Sequence, residues 1–203
     1  MEALPTEDRV TGRSIAKATR RAALLDAAAA LFAERGYNGV SIEDLGAAAG
    51  VSGPAVYRHF TGKPSVLSAL LTGVSEDLLD GGRSVAVEAG SPADALRALI
   101  RFQVDFALRN ANVIRVQDRD LGSLPADDER NVRSLQRRYL RVWEEELGRY
   151  SPGADQVVLR RRVHAVFGLI NSTPHTTHGS SSGTELAALR ELLQDMAWAA
   201  LTA

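Results

Sequence analysis

The amino-acid sequence predicts an all-α protein in which a three-helix unit containing a helix-turn-helix is followed by a larger helical bundle. Apolar residues recur with a period near 3.6 residues along most of the 203-residue chain, and the strict alternation of a half-buried strand is almost absent. The predicted helices are short near the N-terminus and long after residue 91. Because short turns join the long helices, the second part of the chain is typical of a helical bundle.

Composition restricts the function before any motif is considered. The chain is 45% hydrophobic and 24% charged, which is ordinary for a globular protein with a real core. Its formal net charge of −1 means that any surface for nucleic acid must be local. The absence of cysteine excludes disulfides and a cysteine nucleophile and fits a reducing compartment. No apolar run approaches the roughly 20 residues of a membrane span, so we expect a cytoplasmic protein with no membrane partner.

The first predicted helix lies behind a short arm. Residues 1–15 are predicted to form this flexible arm, since most of them lack periodicity. The helix that follows has Leu24, Ala28 and Phe32 on one face. It should end at Gly36, because glycine tolerates the left-handed conformation that often closes a helix.

Two short helices are predicted next, separated by a glycine turn. Ser41 can cap the first, which ends at Gly50. Ser52 can cap the second, predicted over Gly53–Phe60, and Pro54 is tolerated in its first turn. A tight turn between two such helices is what a helix-turn-helix requires, and the second helix of that motif enters the major groove of DNA. Similar pairs also occur in proteins that never bind DNA.

A basic stripe precedes this unit. Arg9, Arg13, Lys17 and Arg21 are spaced by four residues, so they share one face if the segment is helical. No acidic residue interrupts residues 9–21. The stripe is suited to phosphate or minor-groove contact, although a basic run is also typical of a solvated surface.

Longer helices are predicted for the rest of the chain. A helix that begins near Lys63 should break or fray at Gly81 and Gly82, because glycine weakens a helix interior. Ser91 can cap the next helix. The remaining helices are predicted over residues 113–121, 126–150, 155–170 and 184–201, with a polar loop over residues 171–183.

One ordered set of residues, with its spacing, is specific enough to identify a family. The set comprises Ala29–Tyr37 (AALFAERGY), Val40–Leu45 (VSIEDL), Ala48–Ser52 (AAGVS), Val56–Phe60 (VYRHF) and Lys63. Over residues 27–67 the chain therefore resembles the DNA-binding domain of the TetR family of repressors. The resemblance implies a DNA-binding domain over residues 16–64 and a ligand-binding and dimerisation domain over residues 65–203.

The resemblance also implies a function and the residues that perform it. We expect a sequence-specific transcriptional regulator, a homodimeric repressor that a small ligand releases from a palindromic, double-stranded operator. Phosphate contacts are implied for Ser41, Tyr57, His59 and Lys63. The basic stripe adds Arg13 and Lys17 to the predicted DNA-contacting residues. Base-reading positions are implied for Ser52, Gly53, Ala55 and Arg58. Gly46 stands where the family usually has alanine, which should soften that helix by about 1 kcal/mol.

An effector pocket is implied among the central helices. The apolar candidates for its lining are Phe102, Phe106, Val116, Leu140, Trp143, Leu147 and Phe167. The polar candidates are Arg115, Asp118, Arg119, His164, Asn171 and His175. The aromatic members can equally be ordinary core residues. A mostly apolar pocket suits a hydrophobic or amphipathic small molecule, for example a fatty-acyl compound.

The last two long helices, over residues 155–170 and 184–201, are implied to form a four-helix interface with a second copy of the chain. Their apolar faces agree with this interpretation: Val158, Ala165, Val166 and Leu169 on the first helix, and Leu186, Leu189, Leu193 and Met196 on the second. The alternative is that both faces pack inside one protomer, and the sequence does not separate the two arrangements.

Two other function classes fit the sequence less well. An enzyme could use His164 with an acid such as Asp118, but no nucleophile elbow, phosphate-binding glycine loop or metal-ligand spacing supports one, so neither an enzyme nor a cofactor is expected. His175 and His178 lack a third ligand, and a metal site is not expected. A helical interaction module without DNA binding disagrees with the basic stripe. The sequence leaves open the operator, the effector, the regulated genes and the direction of the effector's action.

Overall fold

The computed structural model describes residues 12–172 and 183–203, with side chains from residue 17 onward, and all regular structure in these ranges is helical. Short 3₁₀ turns over Tyr37–Gly39 and Leu121–Ser123 supplement the α-helices. In chain order the helices are α1 (Gly12–Arg35), α2 (Ile42–Ala48), α3 (Gly53–Val56), α4 (Lys63–Val87), α5 (Pro92–Arg109), α6 (Ala111–Asp120), α7 (Ala126–Tyr150), α8 (Gln156–Asn171) and α9 (Gly183–Thr202).

The N-terminal helices pack around their own apolar cluster, which we call the head core. Phe32 of α1, Leu45 of α2 and Val56 of α3 are completely buried in it. The cluster does not stop at the start of α4, because Val113 and Val116 of α6 belong to it as well. The helix-turn-helix is therefore held by the bundle as well as by its own three helices.

A second cluster, the bundle core, fills the space between α4, α5, α7, α8 and α9. Trp143 is its largest fully buried side chain. Trp143, Tyr139 and Phe167 meet edge to face, with ring centroids 5.0 to 6.4 Å apart. Such contacts between α7 and α8 add to the gain from apolar burial.

The arm and the second helix of the helix-turn-helix differ from the sequence-based predictions. Residues 12–15, predicted as part of a flexible arm, form the first turn of α1, whereas residues 1–11 lie outside the described residues. The predicted helix over residues 53–60 ends at Val56. Beyond it, the amides of Arg58 and His59 donate to carbonyls three residues earlier, at 3.2 and 2.9 Å, which is the pattern of a tight turn.

The predicted break at Gly81 and Gly82 is wrong, because α4 continues through both residues to Val87. A Cβ atom added to Gly82 would lie 2.3 Å from Cε2 of Tyr139, and one added to Gly81 would lie 2.4 Å from Cζ of Phe102. The two glycines therefore let aromatic rings of α5 and α7 pack directly on the backbone of α4.

The other long helices lie close to their predicted positions, with caps where the sequence supplies them. Ser91 caps α5 by accepting a hydrogen bond from the Asp94 amide (3.2 Å), and Asp155 caps α8 by accepting from the Val157 amide (2.7 Å). None of the described helices combines the length and apolarity that a membrane span needs.

Candidate nucleic-acid interface and interior cavity

The N-terminus of α2 is fixed by a capping box. The Asp44 amide donates to Oγ of Ser41 (3.0 Å), while the Ser41 amide donates to the Asp44 carboxylate (2.8 Å). The Ser41 hydroxyl also donates to that carboxylate, at 2.7 Å. The hydrogen bonds from the hydroxyl and then the amide of Ser41 lower the pKa of Asp44 below its ordinary value. Ser41 itself is exposed, so it remains on the outer surface of the motif.

The turn between α2 and α3 depends on two glycines. Gly50 has a φ of 68°, in the left-handed region that favours glycine. Gly46 is buried, and its carbonyl accepts a 2.8 Å hydrogen bond from the Val51 amide. A Cβ atom at Gly46 would lie 2.9 Å from the Val51 carbonyl oxygen. Gly46 therefore allows the turn to approach α2 closely, although glycine lowers the helix propensity of α2.

The outer surface of α3 and the turn after it carries the predicted DNA-contacting residues. Ser52 and Arg58 are exposed, and Tyr57 is 57% exposed. Ser52 occupies the N-cap position of α3, but its side chain makes no capping hydrogen bond there, contrary to the prediction. Gly53 and Ala55 are half-buried and present little side chain. The backbone of α3 can therefore come close to a groove while polar groups project beside it.

Lys63 and His59 are less free than the resemblance implied. Nζ of Lys63 donates to the Tyr37 carbonyl (2.8 Å) and lies 4.4 Å from the centroid of the Tyr37 ring. Lys63 therefore ties the start of α4 to the turn after α1, although an ammonium group has further donors. His59 is half-buried, and its Nδ1 atom has no hydrogen-bond partner among the described residues.

The described part of the basic stripe lies on α1, close to this surface. Lys17 and Arg21 are exposed, and the Arg21 guanidinium lies 5.2 Å from the centroid of the Phe60 ring. Arg21 is thus close to the turn that follows α3. Arg13 lies within α1, but its side chain is outside the described residues, as is all of Arg9.

A cavity of about 150 Å³ lies inside the bundle, between α4, α5, α6, α7 and α8. Of the predicted pocket residues, five line it: Phe106, Leu140, His164, Phe167 and Asn171. Sequence reasoning did not include the other lining residues in the predicted site: Leu78, Gln103, Val113, Ile114, Gln117, Gln136 and Tyr139.

The remaining predicted pocket residues lie elsewhere. Trp143 is buried in the bundle core and does not line the cavity, and Phe102 packs on Gly81. Both are core residues, which was the alternative reading of the aromatic candidates. Arg115 of α6 is not part of the cavity wall, and His175 lies outside the described residues.

Amide groups give the cavity wall its polarity. The Tyr139 hydroxyl donates to Oε1 of Gln103 (3.1 Å), and Nε2 of Gln103 donates to Oδ1 of Asn171 (3.0 Å). Burial raises the pKa of Tyr139, so the hydroxyl stays a neutral donor. Nε2 of Gln136 is buried without a hydrogen-bond partner among the described residues. Gln103 could have been noticed in the sequence as a polar residue within the apolar stripe of α5.

Helix α6 joins the cavity to the helix-turn-helix. Val113, Ile114 and Gln117 form part of the cavity wall. Two residues further along, Arg119 donates hydrogen bonds to the backbone carbonyls of Phe32 and Ala33 in the last turns of α1. A cation at this end of a helix also interacts favourably with its dipole. Helix α6 therefore contacts both the cavity and the last turns of α1.

Helices α8 and α9 each expose apolar side chains. Val157, Val158, Leu192 and Met196 are between 41% and 55% exposed. The same helices also turn Val166 and Leu193, two residues of the predicted interface, into the bundle core. Each helix thus has one apolar face inside the protomer and another directed outward.

The chain is similar to known regulators along most of its length. Residues 24–70 match the sequence model "Bacterial regulatory proteins, tetR family", and residues 89–188 match "Tetracyclin repressor-like, C-terminal domain". The transcriptional repressor KstR2 of Rhodococcus jostii is 35% identical over 96 residues, which are 47% of this chain and 45% of that protein. The chain thus spans about half the length of this curated relative.

Solved structures share this fold over most of the chain. A TetR-family regulator from Bordetella parapertussis has a TM-score of 0.76 and 24% identity, over 87% of this chain and 93% of that one. AibR, solved in complex with isovaleryl coenzyme A and operator DNA, has a TM-score of 0.69 and 20% identity, over 87% of this chain and 97% of that one. With both sequence models matched and the fold in agreement, the chain belongs to the TetR family of bacterial regulatory proteins.

Proposed function

We propose that the chain is a cytoplasmic, homodimeric transcriptional repressor that binds a palindromic operator through α3 and releases it when a small effector enters the interior cavity. The observation that carries this proposal is the double role of α6. It forms part of the cavity wall through Val113, Ile114 and Gln117, and it holds the end of α1 through Arg119.

The surface of α3 supports the DNA-binding part of the proposal. Small residues at its start allow close approach to base edges, and Tyr57 and Arg58 supply exposed donors for phosphates and bases. The exposed Lys17 adds positive charge on α1. In a molecule with a formal net charge of −1, this local concentration of basic groups favours one face for DNA.

The mechanism follows from dimer geometry. Two helix-turn-helix units must meet half-sites about one helical turn, roughly 34–36 Å, apart. An effector that displaces α6 moves α1 and changes the spacing of the two units, so the operator affinity falls. The similarity to KstR2, a transcriptional repressor, supports repression. The similarity to AibR, solved with isovaleryl coenzyme A and operator DNA, supports control by a small effector.

The proposal is tested by letting the purified protein select fragments from a random pool of double-stranded DNA. The matched variant is Tyr57→Phe/Arg58→Ala, which alters two exposed groups and leaves the Lys63–Tyr37 bond intact. The control is Arg130→Ala, which removes an exposed arginine from α7. We expect the wild type and the control to enrich one palindrome and the variant to bind it about 10-fold more weakly or worse. Equal enrichment by all three proteins, or by none, contradicts the proposal.

A further inference from the structure

A groove of about 290 Å³ runs between α7 and α8 and adjoins the interior cavity. Leu140 and His164 line both, so the groove forms an outer continuation of the cavity. The groove is otherwise lined by Arg137, Arg141, Glu144 and Arg160. Its lining is thus mainly charged, whereas the cavity is lined by apolar and amide side chains with Tyr139 and His164.

The spacing along α8 explains this continuity. Arg160, His164, Phe167 and Asn171 follow one another at intervals of four, three and four residues, so they form one stripe along the helix. The stripe begins in the groove and ends in the cavity. It is separate from the outward apolar face of α8 that carries Val158, so a dimer formed through that face would leave the groove accessible.

The arginines of the groove are available to a ligand. Arg137 and Arg141 are exposed, and neither makes an ion pair or a hydrogen bond within the described residues. Arg160 lies 3.6 Å from Glu144, in a loose pair that leaves the Arg160 side chain 68% exposed. Three guanidinium groups therefore face one carboxylate. Arginine presents a planar set of donors that matches phosphate and carboxylate oxygens.

The cavity at the other end of the stripe limits the apolar part of a ligand. Its volume of about 150 Å³ corresponds to a benzene-sized group, roughly six carbon atoms. Gln136 lies one turn before Leu140 on α7, and its buried Nε2 donor has no partner among the described residues. A carbonyl oxygen at the junction would satisfy this donor, because a buried amide without an acceptor is costly.

We propose that the effector is an amphiphile with an acyl chain of about six carbons in the cavity and a phosphate-bearing head in the groove, where Arg137, Arg141 and Arg160 hold it. A coenzyme A thioester has this chemistry, and a free fatty acid shares the acyl part and one anionic group. The inference deepens the proposed function by assigning the polar half of the effector to a second set of residues.

Isothermal titration calorimetry of the full-length protein without DNA distinguishes the possible classes of ligand. The probes are hexanoyl-coenzyme A, hexanoate, 1-hexanol and free coenzyme A. We expect hexanoyl-coenzyme A to bind at least about 10-fold more tightly than any of the others, and its affinity to fall as salt is raised, since the groove contacts are screened. Equal affinities for hexanoyl-coenzyme A and hexanoate would contradict the assignment of a phosphate to the groove. Equal affinities for hexanoyl-coenzyme A and 1-hexanol would contradict any role of the groove in binding the effector.

Paired variants locate the head group. Arg137→Gln/Arg141→Gln removes two charges from the groove, whereas Arg130→Gln/Arg133→Gln removes two from the same helix outside it. We expect the groove variant alone to lose about 10-fold or more in affinity for hexanoyl-coenzyme A and to lose most of the salt dependence. The same losses in the control pair would mean a long-range charge effect and would contradict the site. The salt titration of the wild type gives an answer even if a variant folds poorly.

DNA release by hexanoyl-coenzyme A distinguishes a failure of the head-group site from a failure of the proposed function. If hexanoyl-coenzyme A binds in an arginine-dependent way but does not release DNA, the head-group site stands and the proposed control of DNA binding is wrong. If it releases DNA equally from the wild type and the groove variant, the proposed function stands and the head-group site is wrong.

Discussion

At the scale of single residues, the two serines of the helix-turn-helix look equivalent in the sequence and differ in the structure. Ser41 and Ser52 both precede a short helix, and both were predicted to cap it. Only Ser41 makes the capping hydrogen bond, with Asp44 completing the box. Asp44 stands three residues after Ser41 and completes a capping box, whereas the residue in that place after Ser52 is Ala55, whose amide donates to the Ser52 carbonyl (2.9 Å).

This contrast gives a matched pair of stability variants. We expect Ser41→Ala to lower the free energy of unfolding by about 1 kcal/mol, because α2 loses its cap, and Ser52→Ala to leave it almost unchanged. Urea unfolding followed by circular dichroism at neutral pH measures both. Equal losses in the two variants would show that exposure of the helix ends, and not the side-chain hydrogen bond, sets the effect.

The same capping box makes the stability depend on pH. The hydrogen bonds from Ser41 lower the pKa of Asp44 from its ordinary value of 3.8, so the stabilisation is present above that value and is lost as the pH falls through the folded-state pKa. We expect the melting temperature of the wild type to fall more steeply below about pH 4 than that of Ser41→Ala. Identical acid profiles for the two proteins would assign the acid sensitivity to other carboxylates.

At the scale of helices, α4 shows that glycines in one helix have opposite roles. Gly82 lies against the ring of Tyr139, with no space for a methyl group, whereas Gly73 has nothing within 4 Å of the corresponding position. The same residue type therefore permits packing at one site and only weakens the helix at the other.

Alanine substitution separates these roles. Gly82→Ala is expected to lower the free energy of unfolding by about 1–3 kcal/mol, since the Tyr139 ring must shift within the core. Gly73→Ala should raise it by about 0.5–1 kcal/mol through the better helix propensity of alanine. Chemical denaturation of the two variants beside the wild type measures both changes. A stabilised Gly82→Ala protein would contradict the close approach of α4 and α7.

Apolar periodicity was sufficient to predict the helices, but it did not predict which helices pack against one another. It predicted α7 and α9 within a residue or two, because a helix shows its buried face in its own sequence. It misread Gly81 and Gly82, since what packs on a glycine belongs to another part of the chain. Gln136 was missed for the same reason, because only packing shows that its amide is buried and lines a cavity.

At the scale of the whole molecule, the outward apolar faces of α8 and α9 are the proposed dimer interface. Val158 and Leu192 are 41% and 55% exposed in the isolated protomer, and a two-fold axis would place each face against its own copy. The DNA-binding proposal depends on this interface, because a palindromic operator needs two linked helix-turn-helix units.

The dimer is tested by placing charge on this surface. We expect Val158→Asp/Leu192→Asp to raise the dimer dissociation constant by about 100-fold or more, since two unpaired carboxylates would be desolvated in each half of the interface. Val87→Asp is the control, because Val87 is 85% exposed at the end of α4. Sedimentation velocity over a range of protein concentrations measures the constant. An unchanged mass for the double variant would place the interface elsewhere.

Helix α6 has a further consequence for how this protein can evolve. Val113 and Val116 belong to the head core, while Ile114, between them, belongs to the bundle core. Val113 and Ile114 also line the cavity. A substitution that adapts this part of the wall to a new effector therefore alters the packing beneath the helix-turn-helix as well. New effector specificities should arise more readily on α5, α7 and α8, where a change in cavity shape leaves the head core intact.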